Sequence, residues 1–325
     1  MCGIVGILGT HEVAPTLVEA LRRLEYRGYD SAGIATVNEG RLDRRRAVGK
    51  LVNLSDLLVH EPLAGKAGIG HTRWATHGAP NLSNTHPHRA GPVAVVHNGI
   101  IENYRELRAE LAAEGVPHET DTDTETVALL THRYIEQGHS PADAARATIE
   151  RLQGAYALLF LFDGEPDLLV AARKGSPLAI GYGAGEMFVG SDAIALAPLT
   201  DRLTYLEEGD LAVVTRDSLR ITDANGQPVE RDIRTIRVDN TRVDKAGHKH
   251  FMAKEIAEQP AVIGDALGHY LSADGRDVIL PGYGLDFSRI DRLTMVACGT
   301  AYYACLTAKY WFEQLAGIPV DVDIA

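Results

Sequence analysis

The hydrophobic pattern of this 325-residue chain changes period repeatedly, and that alternation limits the fold more than any other feature. Residues 2–8 form a short apolar run that reads as a strand beginning at the N-terminus. Val13, Leu17, Val18, Leu21 and Leu24 then fall on one face of a helix predicted over 12–24. Strand-like runs return at 34–37, 68–72, 93–97, 156–162, 168–172, 188–190 and 211–214. Helices are predicted between them over 102–114, where Leu107 and Leu111 are four residues apart, and over 124–137 and 141–152. Many strands interrupted by clustered helices argue for an α+β fold with two sheets sandwiched between helical layers, an arrangement that propensity alone does not distinguish from other α+β folds.

Beyond 223–228 the pattern becomes loop-rich, 239–250 is polar enough for a linker, and a helix-forming run covers 252–269. A strand at 293–297, a turn at 298–300, a helix at 301–315 and a strand at 320–324 then make one βαβ unit. Two parallel strands cannot cover themselves, so that unit calls for more sequence or a partner. The expected division is a domain over 2–238, a linker with a helical lead-in over 239–288, and the incomplete start of an α/β domain over 289–325.

A formal charge of -12, from 32 basic and 44 acidic residues, argues against a nucleic-acid partner. The basic run at 41–46 is expected to be a hairpin with its arginines facing solvent. Cys2, Cys298 and Cys305 are an odd number without metal-ligand spacing, which predicts neither a disulfide framework nor a zinc site. His86-Pro87-His88 has no further ligands nearby in sequence and is expected to be packed or hydrogen-bonded in a loop. Neither a signal-peptide pattern nor eighteen consecutive apolar residues occur, so a cytoplasmic chain without membrane contact is expected.

Cys2 has a chemical distinction. Removing Met1 puts a free α-amine and a thiol on one residue, and such an amine titrates near pH 7.7 to 8.0 in model peptides. It can serve as base for its own thiol, as in N-terminal threonine nucleophiles.

Cys2-Gly3-Ile4-Val5-Gly6, the 26–33 segment from Tyr26 to Gly33, the 71–78 segment from His71 to Gly78, the 97–103 segment from His97 to Asn103, and the 120–125 segment from Thr120 to Glu125 together resemble the motifs of class II, or Ntn-type, glutamine amidotransferases. The resemblance implies a four-layer αββα Ntn-hydrolase fold with Cys2 as nucleophile. Asn98, through its side-chain N–H, and Gly99, through its backbone N–H, are implied to form an oxyanion hole. Arg73 is implied to take the α-carboxylate of L-glutamine and Asp123 its α-ammonium, while Trp74, Thr76 and His77 belong to a loop that closes over substrate. Arg27 is implied to support the N-terminal turn. Read singly, Arg73 also suits a strand-end salt bridge, Asp123 a helix N-cap, and Asn98-Gly99 a type I′ hairpin turn.

The 24–30 segment, Glu207-Glu208-Gly209-Asp210 and the 250–256 segment resemble in detail the branch of that family that aminates D-fructose 6-phosphate. Ala297-Cys298-Gly299-Thr300 resembles the first phosphosugar-binding turn of its sugar isomerase (SIS) domain. There Gly299 would expose backbone N–H groups and Thr300 a hydroxyl to phosphate, although Ala301 replaces a frequent serine. For the full-length parent the resemblance implies a cytoplasmic homodimer, without metal or cofactor, that passes the amide nitrogen of glutamine to D-fructose 6-phosphate and yields D-glucosamine 6-phosphate and L-glutamate; for this chain the oligomeric state stays open. Most of the SIS region is expected beyond Ala325, so this chain alone is predicted to retain glutamine hydrolysis only. The alternatives are another Ntn-type amidotransferase with a different acceptor, or a silent module that senses glutamine or sugar phosphate.

Overall fold

The computed structural model describes residues 2–236, 245–272, 274–280, 284 and 286–325. The chain divides into two compact units, Met1–Phe251 and Met252–Ala325. In the first, β1 (Gly3–Leu8), β2 (Ser31–Asn38), β3 (Arg41–Val48) and β4 (Ala67–Arg73) belong to an eight-stranded sheet among the described residues. A seven-stranded sheet holds β5 (His88–Ala90), β6 (Val93–Ile101), β7 (Gly154–Phe162) and β8 (Leu169–Lys174). β1 lies between β4 and Met187–Gly190, β2 between β4 and β3, and β6 between β5 and β7, with antiparallel pairing throughout.

The apolar runs are nearly continuous because these strands are covered on both faces. Side chains alternate across a strand, so each strand supplies two cores. Ile4 and Leu8 of β1 pack with Ala157, Leu159 and Leu161 of β7 between the sheets. The alternate residues Val5 and Ile7 pack outward on Leu17 and Leu21 of α1 (Ala14–Arg22) and on Leu51 and Leu54 of α2 (Leu51–His60). On the opposite side Leu158, Phe160 and Phe162 meet Leu107 and Leu111 of α3 (Tyr104–Ala113), Val127 of α4 (Asp123–Glu136) and Ala145 of α5 (Pro141–Arg151). The result is the expected helix–sheet–sheet–helix stack. Predicted helix 12–24 is shortened to Ala14–Arg22, with a proline in its first turn where the missing N–H costs nothing.

The arginine expectation is half right. Residues 41–46 do form the second strand of a hairpin, paired from Asn38↔Arg41 to Ser31↔Val48. Arg41 is exposed as expected, but Arg44, Arg45 and Arg46 are half-buried and turned onto carbonyls. Arg44 donates to the Pro87 carbonyl at 2.9 Å, Arg46 to Thr85 at 2.8 Å and Ser83 at 3.2 Å, and Arg45 to Glu61. Arg44 and Arg46 clamp the loop that joins β4 to β5, while Arg45 holds the segment after α2, each satisfying carbonyls that have no strand partner.

In the second unit Leu293–Ala297 and Val320–Ile324 pair in parallel, from Leu293↔Val320 to Ala297↔Ile324. The helix between them starts at Gly299, two residues earlier than predicted, and runs to Trp311. Tyr303, Tyr310, Trp311 and Leu315 are exposed there. The helix-forming run is observed as Phe251–Tyr270. Residues 239–244 of the expected linker lie outside the described residues. Among the described residues no helix is long and apolar enough to cross a membrane.

The sheets approach closely where β1 carries Gly6, at which a Cβ would stand 2.5 Å from Leu159 Cδ2. Leu159→Ala should lower unfolding free energy by about 2–5 kcal/mol. Gly6→Ala should also destabilise, but less in the Leu159→Ala background, because the methyl then has room. A double-mutant cycle in denaturant titrations checks this non-additivity.

Candidate active site

Three separate elements converge at the start of β1. Cys2 immediately precedes that strand, Arg73 ends the adjacent β4, and Asn98 and Gly99 lie in β6 of the facing sheet. The Trp74 N–H donates to Cys2 Sγ at 3.2 Å. The Cys2 carbonyl accepts from Arg27 Nη1 at 3.1 Å and from Asn98 Nδ2 at 3.2 Å, which ties the nucleophile candidate to both sheets. Arg27 is in turn held by Asp192 at 2.6 Å, and Tyr26 donates to the same carboxylate at 2.6 Å. Sequence reasoning missed Asp192 and Ser191, whose hydroxyl accepts from the Ile4 N–H at 3.0 Å. Only the pairing of β1 with Met187–Gly190 brings them there.

Asn98 and Gly99 do not form a hairpin turn. They continue β6 opposite Ala157 and Tyr156, and Gly99 has φ +127, a conformation that side chains disfavour. A Cβ there would also overlap the Ala155 carbonyl. Asp123 is not the cap of α4 either: Thr122 holds that position, while Asp123 Oδ2 accepts the Ile101 N–H at 2.8 Å. Arg73 does sit at a strand end, with Asp30 Oδ1 at 3.9 Å. Its guanidinium donates chiefly to the carbonyls of His77, Gly78 and Ala79, so it shapes the loop after β4. Asp30 holds the same loop by accepting from the Ala75 N–H at 2.5 Å, another contact that spacing did not reveal.

A cavity of about 390 Å³ opens beside Cys2, lined by Arg27, Trp74, Thr76, Asn98, Gly99, Ile100, Ser176 and Pro177. A smaller hollow adjoins it, lined by Arg73, His77, His86, His97, Thr122, Asp123 and Thr124. Cys2, Trp74, Thr76 and Gly99 border both. The Cys2 sulfur therefore lies between an apolar chamber and a pocket that offers a guanidinium and a carboxylate. The Trp74 side chain is 53% exposed and leans over Gly28, where a Cβ would meet its ring at 2.6 Å. His77 packs edge-on against Tyr104 at 5.3 Å. Gly299, with φ +57, and Thr300 open the helix Gly299–Trp311 in the second unit.

Residues 79–198 match a family model described as a glutamine amidotransferase domain. Over its whole length the chain is 61% identical to a protein of Brucella abortus and 58% identical to one of Bradyrhizobium diazoefficiens, both named glutamine–fructose-6-phosphate aminotransferase [isomerizing]. The chain carries a glutamine amidotransferase domain. It spans 54% of the length of those two relatives. The fold is shared with the glutamine phosphoribosylpyrophosphate amidotransferase of B. subtilis, at a TM-score of 0.62 and 22% identity, covering 99% of this chain and 65% of that one. These findings bear out the Ntn-type αββα expectation.

In this amidotransferase domain four histidines are buried beneath the site. His86 and His88 donate to or accept from Thr124 and Thr122 at 2.9 and 3.0 Å, and His97 is 3.0 Å from Thr124 Oγ1. Loss of hydration holds all four below the usual histidine range, His71 at about 3. A depressed folded value means that unfolding takes up protons below about pH 6.5, so stability should fall as the pH drops from there, for His71 down to about 3. Each histidine contributes at most about 1.4 kcal/mol per pH unit, and none of this slope is present above pH 6.5. Denaturation midpoints measured across pH 4 to 7 should show the slope reduced by about one proton in His88→Gln.

Burial also pushes the Cys2 thiol above its ordinary range. With Met1 retained, iodoacetamide should label exposed Cys298 ahead of Cys2 at pH 7, and Cys2 labelling should rise about tenfold per pH unit into the alkaline range. Peptide mapping of the labelled chain reads both rates.

Proposed function

We propose that the first unit hydrolyses L-glutamine as the nitrogen-supplying half of a glutamine:fructose-6-phosphate amidotransferase. The observation that carries this reading is the position of Cys2, with Asn98 and Gly99 on one side and a hollow bordered by Arg73 and Asp123 on the other. Glutamine needs a cation for its α-carboxylate, an anion for its α-ammonium, and donors for the oxygen of its reacting amide. Arg73 and Asp123 line one cavity, Asn98 lines the other, and Gly99 borders both.

The α-amine freed by removal of Met1 takes the proton of the Cys2 thiol, which burial makes reluctant to ionise alone. The sulfur attacks the side-chain amide carbon, and the oxyanion is held by Asn98 Nδ2–H and the Gly99 N–H. The carbon–nitrogen bond then breaks as the α-ammonium returns its proton to the leaving nitrogen. Ammonia and a γ-glutamyl thioester result. Water, deprotonated by the same amine, attacks the thioester and releases glutamate and the thiol. Thr76 and His77 border the polar hollow, and Trp74 is the side chain able to close the passage between the two cavities.

For the acceptor, support comes from the names of the two relatives and from Gly299-Thr300 at a helix N-terminus, which suits a phosphate. We assign glutamine hydrolysis to 2–238, a linker to 239–288, and the start of an SIS domain that binds D-fructose 6-phosphate to 289–325. The same resemblance supports a cytoplasmic location and, for the full-length protein, a homodimer.

Incubation of the Met1-free chain with glutamine and fructose 6-phosphate should yield glutamate and ammonia without glucosamine 6-phosphate. Cys2→Ala should be silent, and Asn98→Ala should lower kcat about 10²- to 10³-fold. An active Cys2→Ala chain would sink the assignment.

A further inference from the structure

We propose that His71 is a positioning residue that sets the direction of the Asn98 side-chain amide, so that Asn98 offers its N–H groups to the Cys2 side of the site. The inference rests on the glutaminase reading and deepens it.

His71 lies within β4, opposite Ile4 of β1 and Gly33 of β2, and is completely buried. Its Nε2 is 3.0 Å from the His97 carbonyl and 3.1 Å from Asn98 Oδ1. A backbone carbonyl can only accept, so Nε2 must carry a hydrogen. That hydrogen is shared with Asn98, and the Asn98 atom facing it must be the amide oxygen. The amide nitrogen consequently points the other way, 3.2 Å from the Cys2 carbonyl, which is again only an acceptor. Two backbone carbonyls, one on each side, admit a single orientation. A flipped amide would set N–H against N–H at His71 and oxygen against oxygen at Cys2.

The histidine is itself prevented from changing state. Its Nδ1 has no partner, so a proton there would be a buried and unsatisfied donor. The ring is stacked on His86 with centroids 4.2 Å apart, and His86 is anchored to Thr124 Oγ1 at 2.9 Å. Loss of hydration disfavours the cation as well, with the His71 value at about 3. A neutral ring locked in one tautomer is thereby wedged behind the oxyanion-hole residue. An asparagine amide can rotate by 180° at little steric cost, and a rotated Asn98 would present oxygen to a developing oxyanion.

Two measurements on the full chain test this. Nitrogen NMR of histidine-labelled protein should find His71 neutral with hydrogen on Nε2. Glutamine hydrolysis should then be compared in His71→Gln, whose amide nitrogen reaches about the place of Nε2, and His71→Asn, whose nitrogen falls near the place of Nδ1. We expect His71→Asn to lower kcat about 100-fold with KM within about threefold, and His71→Gln to stay within about fivefold of the unchanged chain. In an Asn98→Ala background, His71→Asn should cost less than about threefold, since no amide remains to be oriented. Hydrogen on Nδ1, equal losses in both variants, or a loss confined to KM would overturn the proposal. If the unchanged chain hydrolyses no glutamine, the glutaminase reading fails. The inference is then decided by the tautomer and by the Asn98 side-chain amide signals, which should move in His71→Asn and be restored in His71→Gln.

Discussion

The close approach of two sheets that are each covered on both faces is the constraint from which the site follows. Ile4, Leu8, Ala94, Val96, Ala157 and Leu159 fill the space between them. Small residues at Gly6, Ala94 and Ala157 let the backbones come near. That closeness allows a side chain on β6 to reach the backbone of Cys2 and a ring on β4 to reach Asn98. A separation greater by a methylene or two would break both bonds, because a hydrogen bond weakens steeply beyond about 3.2 Å. The geometry of the candidate site and the packing between the sheets are therefore coupled in this protein.

Beneath the reactive surface the polar groups are arranged in pairs and chains. Arg27 is held by Asp192, the three buried threonine–histidine contacts run through Thr122 and Thr124, and Asp123 is taken up by the Ile101 N–H. Buried polar atoms without partners are costly, and the ring nitrogens of His71, His86 and His97 that lack one are tolerable only as neutral acceptors. This makes the layer stiff and also acid-sensitive. The same neutrality lets His71 act as a directional donor, a use that a charged ring would complicate with its own field.

Several features were readable from residues alone. The strand at Leu211–Val214 and the strand at Leu293–Ala297 match their predicted limits, since both are short, largely apolar runs flanked by polar or turn residues. β6 was longer than predicted, because Asn98 and Gly99 look like a turn locally. Pairing with β7 overrides that preference, and Gly99 pays for it with a positive φ. Arg44 and Arg46 misled in the opposite sense: charge suggests solvent, but the carbonyls of the 83–87 loop offered partners that no local rule could foresee. The cap reading of Asp123 failed by one residue, since Thr122 was equally suited and the Ile101 N–H claimed the carboxylate.

By itself the sequence determined the alternation of elements, the double-faced burial of the strands, and the identity of the chemically capable residues, because periodicity and residue chemistry are local properties. Cys2 could be nominated from its own chemistry, and Arg73, Asn98, Gly99 and Asp123 by the resemblance of their segments to the Ntn-type amidotransferase motifs. Only the tertiary structure decided which groups orient them. Asp192 on Arg27, Asp30 on the loop after β4, and His71 on Asn98 are contacts between elements far apart in the chain. Their selection depends on strand order and register, which are settled by the packing of two sheets together and leave no periodic trace in the residues themselves.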